Sequence, residues 1–209
     1  MSSTEERYDV PDVLFPSGTM IGSYRLVSQY ESTPGNKVFF ATKSENPNQY
    51  EKYIITIRNI GEKSQRKLFK QQLKIVKMFA DNPHIIKYLE HGITPNPQYA
   101  YIVTNYYDSG DIFDRVSRKR IKDVNFVKAV IYQVLLALKA LSDKNIIHNL
   151  VTPANIIIED EKSTKALLSG FKFAQILPPG ETTSTNVDGC YLINIDETSW
   201  EVVPKILKC

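Results

Sequence analysis

The sequence predicts an α+β fold with a strand-rich first half and a second half that contains a long helix. Three observations support this class. β-prone residues flank a turn signal within residues 24–43, and hydrophobic residues change to helical spacing at residues 61–80. A strongly apolar stretch then follows at residues 123–145, which is too long for a single strand.

The strands are predicted from β-rich runs separated by turn residues. YRLVSQY and KVFFATK flank the turn ESTPGN, and Pro-Gly-Asn is typical of a hairpin. Residues 50–60 predict a third strand, and residues 85–104 return to strand character around the turn TPNP. Residues 1–23 are polar and contain Pro11 and Pro16, which predicts an extended N-terminal segment.

The two helices differ in how their apolar residues are distributed. In residues 61–80 the apolar residues recur at helical spacing while Lys and Gln fill the other face; they are Leu68, Phe69, Leu73, Val76 and Phe79. Residues 123–145 have apolar residues on most faces, which indicates a helix that is buried on several sides.

Composition excludes several classes of function. The 209 residues carry a net charge of +3, too small to predict a nucleic acid or an anionic membrane as partner. The start of the chain is polar and no uninterrupted apolar run spans a bilayer, so we expect a cytoplasmic protein. Cys190 and Cys209 and the scattered histidines give neither a disulfide framework nor metal-ligand spacing.

Two longer stretches carry a family resemblance. Residues 145–158, NIIHNLVTPANIII, resemble the catalytic loop of protein kinases, and YIVTNYYDSGDIFDRVSRK at 101–119 resembles the fifth strand, hinge and following helix of calcium/calmodulin-dependent Ser/Thr kinases. The resemblance to eukaryotic protein kinases covers about residues 24–207.

The resemblance implies a bilobal, protein-kinase-like α+β fold. It implies an extension at 1–23, a β-rich N-lobe at 24–104, and a hinge with a partial, truncated helical C-lobe at 105–209 that ends with the activation segment. SWEVVPKILKC at 199–209 looks like the close of that segment.

In the N-lobe, the resemblance assigns each phosphate-binding position to an altered residue. The three glycine positions of the glycine-rich loop become Glu31, Thr33 and Asn36, for which an ordinary hairpin turn is the favoured interpretation. Arg58 takes the position of the strand lysine, and Gln72 that of its glutamate partner. Other interpretations are equally open: Arg58 would be a surface cation at a strand end, and Gln72 would be a solvated helix residue.

In the C-lobe, the resemblance places Leu150 at the catalytic base, where an aliphatic side chain cannot accept a proton. Gly170 takes the position of the metal-binding Asp in the Asp-Phe-Gly motif, whereas Phe171 is kept. His148 and Asn155 are also kept. We expect packing and loop hydrogen bonding from them rather than metal ligation, because one amide is a poor magnesium site.

The apolar helix predicts an interface. A partial C-lobe would leave it uncovered, and exposed apolar area favours association. The candidate interface residues are Val127, Val130, Ile131, Val134, Leu138 and Leu141. The alternative is that the activation segment folds back over them. A basic cluster from Arg115 to Lys122 is a second candidate contact for an acidic partner, or else a solvated turn.

These observations predict a catalytically inactive kinase-like protein that acts as a structural or interaction module in a larger protein assembly, with no cofactor and no metal. A cytoskeletal or ciliary lattice is one setting that would fit. Two alternatives stay open: a regulatory pseudokinase that binds ATP without phosphotransfer, and a divergent active kinase or nucleotidyltransferase.

Overall fold

The computed structural model describes residues 15–33, 35–43, 51–120, 123–159, 162 and 164–179. The strands are β1 (Met20–Ile21), β2 (Tyr24–Thr33), β3 (Asn36–Lys43), β4 (Tyr53–Asn59), β5 (Glu90–Ile93), β6 (Tyr99–Asn105), β7 (Ile146–Ile147), β8 (Ile156–Ile158), β9 (Ala166–Leu168) and β10 (Gln175–Ile176). The helices are α1 (Lys63–Met78), α2 (Ile112–Ser117) and α3 (Val124–Ser142), and 3₁₀ turns lie at Pro153–Asn155 and Phe171–Phe173. The predicted α+β class is confirmed, as are the predicted hairpin, third strand and both helices.

The chain divides into two compact units. One contains the described residues up to Lys70 together with Lys87–Tyr106, and the other contains Gln71–Ile86 and the described residues from Tyr107 onward. The first unit corresponds to the predicted N-lobe, except that residues 71–86 group with the second unit.

The first unit is a six-stranded antiparallel sheet in the order β1-β2-β3-β4-β6-β5. Side chains alternate between its faces, so Tyr53, Ile55 and Ile57 of β4 are buried while the residues between them are only half-buried. The buried face forms one core cluster: Phe15, Ile21, Tyr24, Leu26, Phe39, Ala41, Tyr53, Ile55, Ile57, Tyr99, Tyr101 and Val103.

Residues 15–21 belong to this core. The ring of Phe15 packs edge-on against Tyr99 with centroids 5.6 Å apart. The backbone amide of Gly18 donates to Leu26 O at 2.8 Å, and that of Leu26 donates to Thr19 O at 2.9 Å. The N-terminal extension predicted to end at residue 23 therefore joins the core of the first unit from Phe15 onward and the sheet at Met20, while residues 1–14 lie outside the described residues.

The second unit is built around α3 and two short strand pairs. Asp123 caps α3, because its Oδ1 accepts a hydrogen bond from the amide of Phe126 at 2.8 Å. β8 pairs with β9 and β7 pairs with β10, both antiparallel. The core consists of Phe126, Val130, Val134, Ile158 and Ala166, with Ile112, Leu138 and Ile156 partly buried against it.

The composition of α3 would also suit a membrane span. The helix is 19 residues long with a mean hydropathy of 1.6, although no uninterrupted apolar run in the sequence is that long. The core helix of a soluble domain has the same length and composition. In this fold, one side of α3 packs onto β8 and β9, which is the role of a core helix.

Candidate functional site

The hairpin of β2 and β3 carries the three positions expected to replace a glycine-rich loop. Its ladder pairs Glu31 with Val38 and continues to Thr33 opposite Asn36. Gly35 has a φ of +75°, a conformation that glycine adopts without steric cost. Glu31 is exposed. The β2–β3 ladder has register shifts between Leu26 and Ser28 and between Gln29 and Glu31, and the hairpin carries a turn glycine and an exposed carboxylate near its tip.

Arg58 lies near the end of β4, with Asn36 of β3 and Ala100 of β6 as its cross-strand neighbours. Burial lowers the pKa of its guanidinium, and the nearby Tyr88 acts in the opposite direction. Arg58 is therefore a half-buried cation within the sheet and not a fully solvated one.

Gln72 lies on α1 and is 2% exposed, so the interpretation of Gln72 as a solvated helix residue is wrong. It faces inward because Phe69, Ile75 and Val76 on the same side of the helix are also buried. The adjacent Gln71 donates from Nε2 to Ala174 O at 2.8 Å. This bond joins the helix to the segment that follows Phe171.

His148 is buried and holds together two segments of the second unit. Its Nε2 lies 2.8 Å from Ser169 O, and the amide of Leu150 donates to its Nδ1 at 3.3 Å. Its ring packs edge-on against Phe171 with centroids 4.7 Å apart. Burial lowers the pKa of His148 to about 4, the hydrogen bond to Ser169 acting in the opposite direction. A neutral ring with the proton on Nε2 satisfies both bonds.

Asn155 closes the loop that contains Leu150. Its side-chain Nδ2 donates to Leu150 O at 2.9 Å, and its backbone amide donates to Thr152 O at 2.9 Å. The amide and the hydroxyl of Ser169 both donate to Asn155 O, at 2.8 and 3.2 Å. The expected loop hydrogen bonding of Asn155 is present in full.

Gly170 has a backbone that disfavours any side chain, with φ +81° and ψ 32°. A Cβ added there would lie 2.3 Å from both Cγ and Oδ1 of Asn155 and 2.6 Å from its Nδ2. The side chain of Asn155 thus fills the space beside Gly170. An Asp at residue 170 would fit only if Asn155 rotated away from Leu150 O.

The sequence did not single out Asn149. This residue is buried and has a φ of +64°, which Asn tolerates better than most residues. Its Nδ2 donates to Phe173 O at 2.9 Å. Together with the bond from Gln71 to Ala174, this attaches the loop to residues 171–174. The only signal in the sequence is that Asn149 directly follows His148, which the family resemblance retains.

The predicted partner interface on α3 is wrong for half of its residues. Val130, Val134 and Leu141 are at most 7% exposed. Residues three or four positions apart share one side of a helix, and Val130 and Val134 pack there in one core cluster with Ile158 of β8 and Ala166 of β9. Leu138 is partly buried against the same core, whereas Val127 and Ile131 are each 37% exposed.

The basic cluster from Arg115 to Lys122, which begins within α2, is also divided. Arg115 is 4% exposed, donates from Nε to Ser109 O at 3.1 Å, and lies over the ring of Phe126. Arg118 forms an exposed ion pair with Asp114 at 3.6 Å. Lys122 and the expected end of an activation segment at 199–209 lie outside the described residues. Arg115 is therefore part of the interior and is not available to a partner.

Within the described parts of the chain, no three His, Cys, Asp or Glu side chains converge to hold a metal ion. At the positions assigned to the base and the metal, the groups that meet are an aliphatic side chain, a hydrogen-bonded amide and a glycine.

Comparison with known proteins identifies the family. The Protein kinase domain family matches residues 35–193. The chain is 26% identical over 144 residues to the liver/testis isoform of the phosphorylase b kinase gamma catalytic chain of Bos taurus, covering 69% of this chain and 32% of that protein. It is 25% identical over 138 residues to calcium-dependent protein kinase 4 of Plasmodium berghei, covering 66% and 25%.

A solved structure shows the same fold. The autoinhibited serine kinase domain of the giant muscle protein titin superposes with a TM-score of 0.64 at 19% identity, covering 76% of this chain and 48% of that one. The chain spans about a quarter to a third of the length of the curated relatives it matches. The predicted resemblance to eukaryotic protein kinases is confirmed, with a calcium-dependent Ser/Thr kinase among the relatives, and the chain belongs to the protein kinase domain family.

Proposed function

We propose that this chain is a catalytically inactive kinase-like module that acts through contacts with other proteins. The observation that carries the proposal is the arrangement of Leu150, Asn155 and Gly170. Under the family resemblance these residues stand for the base and the two metal ligands. The first has no proton acceptor, the third has no side chain, and the second would offer a metal only one amide oxygen, since its Nδ2 donates to Leu150 O.

The glycine at residue 170 supports this proposal most directly, because it removes the carboxylate that would bind the metal. A magnesium ion needs several oxygen ligands in near-octahedral geometry. Here, the amide of Asn155 is fixed by Leu150 O and lies where a side chain of residue 170 would begin. An Asp at residue 170 would require the Asn155 side chain to move, because an added Cβ would lie 2.3 Å from its Cγ.

His148 supports the same interpretation. Its two ring nitrogens are engaged within the unit and its pKa is lowered to about 4, so it is neutral near pH 7. Its contact with Phe171 is a packing contact. The retained residues of the site are therefore those that stabilise the loop.

The hairpin at Glu31 lacks the features of a phosphate cradle. Of the residues at the three aligned glycine positions, none is glycine, and Glu31 places an exposed negative charge there. A carboxylate beside a triphosphate is repulsive, and neighbouring like charges of this kind oppose nucleotide binding.

A phosphotransfer assay tests the proposal. The purified chain is incubated with magnesium and γ-labelled ATP, with a basic protein as substrate, beside an Asn155→Ala variant. We expect the label incorporated by both proteins to equal the enzyme-free background. Metal-dependent incorporation by the wild-type chain that disappears in the variant would show that the site is catalytic and would end the proposal.

Nucleotide binding without transfer is the second candidate, because Arg58 keeps a cation on β4 at the position of the strand lysine. It predicts a rise in melting temperature with ATP, whereas the absence of a shift at millimolar ATP removes it. A divergent kinase or nucleotidyltransferase ranks last, since both would need the metal ligands that are replaced here.

The interaction role has its own test. A tagged chain expressed in its native source is captured, and the proteins that co-purify are identified by mass spectrometry. We expect a stable set of partners belonging to one assembly, with cytoskeletal or ciliary components as one candidate. A chain recovered alone, as a soluble monomer, would contradict the interaction role while leaving the loss of catalysis untouched.

A further inference from the structure

Helix α1 presents all its basic residues on one side. They are Lys63, Arg66, Lys67, Lys70, Lys74 and Lys77, here called the basic face. At 100° per residue, these six positions fall within an arc of about 100°. The face runs over fifteen residues from Lys63 to Lys77, a length of about 21 Å along one continuous helix.

The basic face is solvent-exposed at every one of its six positions. The opposite side of α1 is apolar and buried, through Phe69, Ile75 and Val76. No Asp or Glu occurs within the helix; the nearest in sequence are Glu62 before it and Asp81 after it. Arg66 donates from Nε and Nη2 to the carbonyls of Ile60 and Gly61, at 3.2 and 3.0 Å.

This charge distribution opposes the stability of the helix. Neighbouring cations on the face lie three or four residues apart in six pairs, and like charges at that spacing destabilise a helix. Lys63 and Arg66 also lie at the positive end of the helix dipole, whose first turn contains no acidic residue. Stable protein surfaces usually mix both signs of charge. A bound anionic partner would relieve this repulsion.

The residue types indicate which anionic partner fits. Five of the six cations are lysines, and the single arginine is engaged with backbone carbonyls. Phosphate recognition favours the bidentate arginine fork, and nucleic-acid surfaces add aromatic side chains for stacking; the face offers neither. Membrane insertion would need the apolar side of α1, which is already buried in the fold. An acidic polypeptide remains: each exposed lysine–carboxylate pair is weak, but a segment with several carboxylates at helical spacing can pair with several cations of the face at once.

We propose that the basic face docks an Asp/Glu-rich polypeptide segment of a partner protein. A face of about 21 Å matches roughly 14 residues of an acidic helix with carboxylates at the same three- and four-residue spacing. This names the partner chemistry for the interaction role proposed above. The docking proposal does not depend on the loss of phosphotransfer. A negative binding assay would therefore leave the proposed loss of catalysis standing, and a positive phosphotransfer assay would leave the docking proposal standing.

The test uses a fluorescein-labelled acidic helical peptide of about 15 residues, with Glu at the matching spacing. Fluorescence anisotropy measures its binding to the full chain. We expect saturable binding that weakens steeply as salt rises from about 50 mM to about 300 mM. The triple variant Lys67→Glu, Lys70→Glu and Lys74→Glu should raise the Kd at least about tenfold.

A matched variant separates the face from net charge. Lys87→Glu, Lys128→Glu and Lys144→Glu change the net charge equally but lie outside α1, and binding should persist. Circular dichroism establishes that both variants are folded. Equal loss in both variants, absence of binding by the wild-type chain, or tighter binding of duplex DNA or of phosphatidylserine vesicles than of the peptide would each overturn the proposal.

Discussion

Because the side chain of Asn155 packs against Gly170, we expect the effects of substitutions at these two positions on stability to be coupled. Gly170→Ala adds one methyl group at a backbone with φ +81°. The new Cβ would lie 2.3 Å from Cγ of Asn155, well inside van der Waals contact. The substitution can be accommodated only if the Asn155 side chain moves and loses its 2.9 Å hydrogen bond to Leu150 O.

The expected cost has two parts. A left-handed backbone costs an L-residue about 1–2 kcal/mol. Loss of the hydrogen bond and displacement of the amide add about 1 kcal/mol. Gly170→Ala should therefore lower the free energy of unfolding by about 2–3 kcal/mol in the wild-type chain. In an Asn155→Ala background the second part vanishes, so the coupling should be about 1 kcal/mol.

Urea unfolding of the four proteins of this double-mutant cycle measures the coupling. Gly110→Ala is the matched control, because Gly110 lies in the same unit with φ +66° and an added Cβ there would be 3.4 Å from the nearest atom. The control should show only the backbone cost and no coupling to Asn155→Ala. If Gly170→Ala costs the same in both backgrounds, within about 0.3 kcal/mol, Asn155 does not fill that space.

Three further predictions concern stability. The pKa of His148 is lowered in the folded state to about 4. The free energy of unfolding should therefore fall by up to about 3 kcal/mol as the pH falls from about 6.5 to about 4, because the unfolded chain binds the proton first. In the His148→Gln variant, the free energy of unfolding should depend less on pH over that window. Phe15→Ala should cost about 3 kcal/mol because its ring is in the core, whereas Phe113→Ala, at a side chain 59% exposed, should cost under about 0.5 kcal/mol. On α3, Val130→Ala should cost about 2 kcal/mol and Val127→Ala clearly less. Chemical denaturation measures all three, and equal costs within either matched pair would contradict the assigned burial.

Local patterns predicted the strands and helices well. The turn Pro-Gly-Asn flanked by β-rich runs fixed the hairpin of β2 and β3, because few residue types suit that turn. The change to helical spacing predicted α1 within two residues at each end. The order of motifs predicted the family, since several matches in sequence order rarely occur together by chance.

Burial within an element was predicted less well. The long helix is apolar on most sides, so periodicity alone could not decide which valines contact β8 and β9. Solvation was one of the open interpretations of Gln72, and Arg115 was assigned to a partner contact or a solvated turn, yet both side chains are buried where neighbouring segments cover them. Phe15 was assigned to an extension, although it packs against Tyr99 from far along the chain.

The sequence by itself determined which groups the candidate site possesses. Leu150, Gly170 and the row of lysines on α1 can be read directly, because side-chain chemistry and helical period are local properties. Only the tertiary structure decided how those groups meet. Asn155 and Gly170 lie fifteen residues apart, and their contact exists because Ser169 and His148 hold the two segments together. Such a contact depends on non-local packing, which no local pattern encodes.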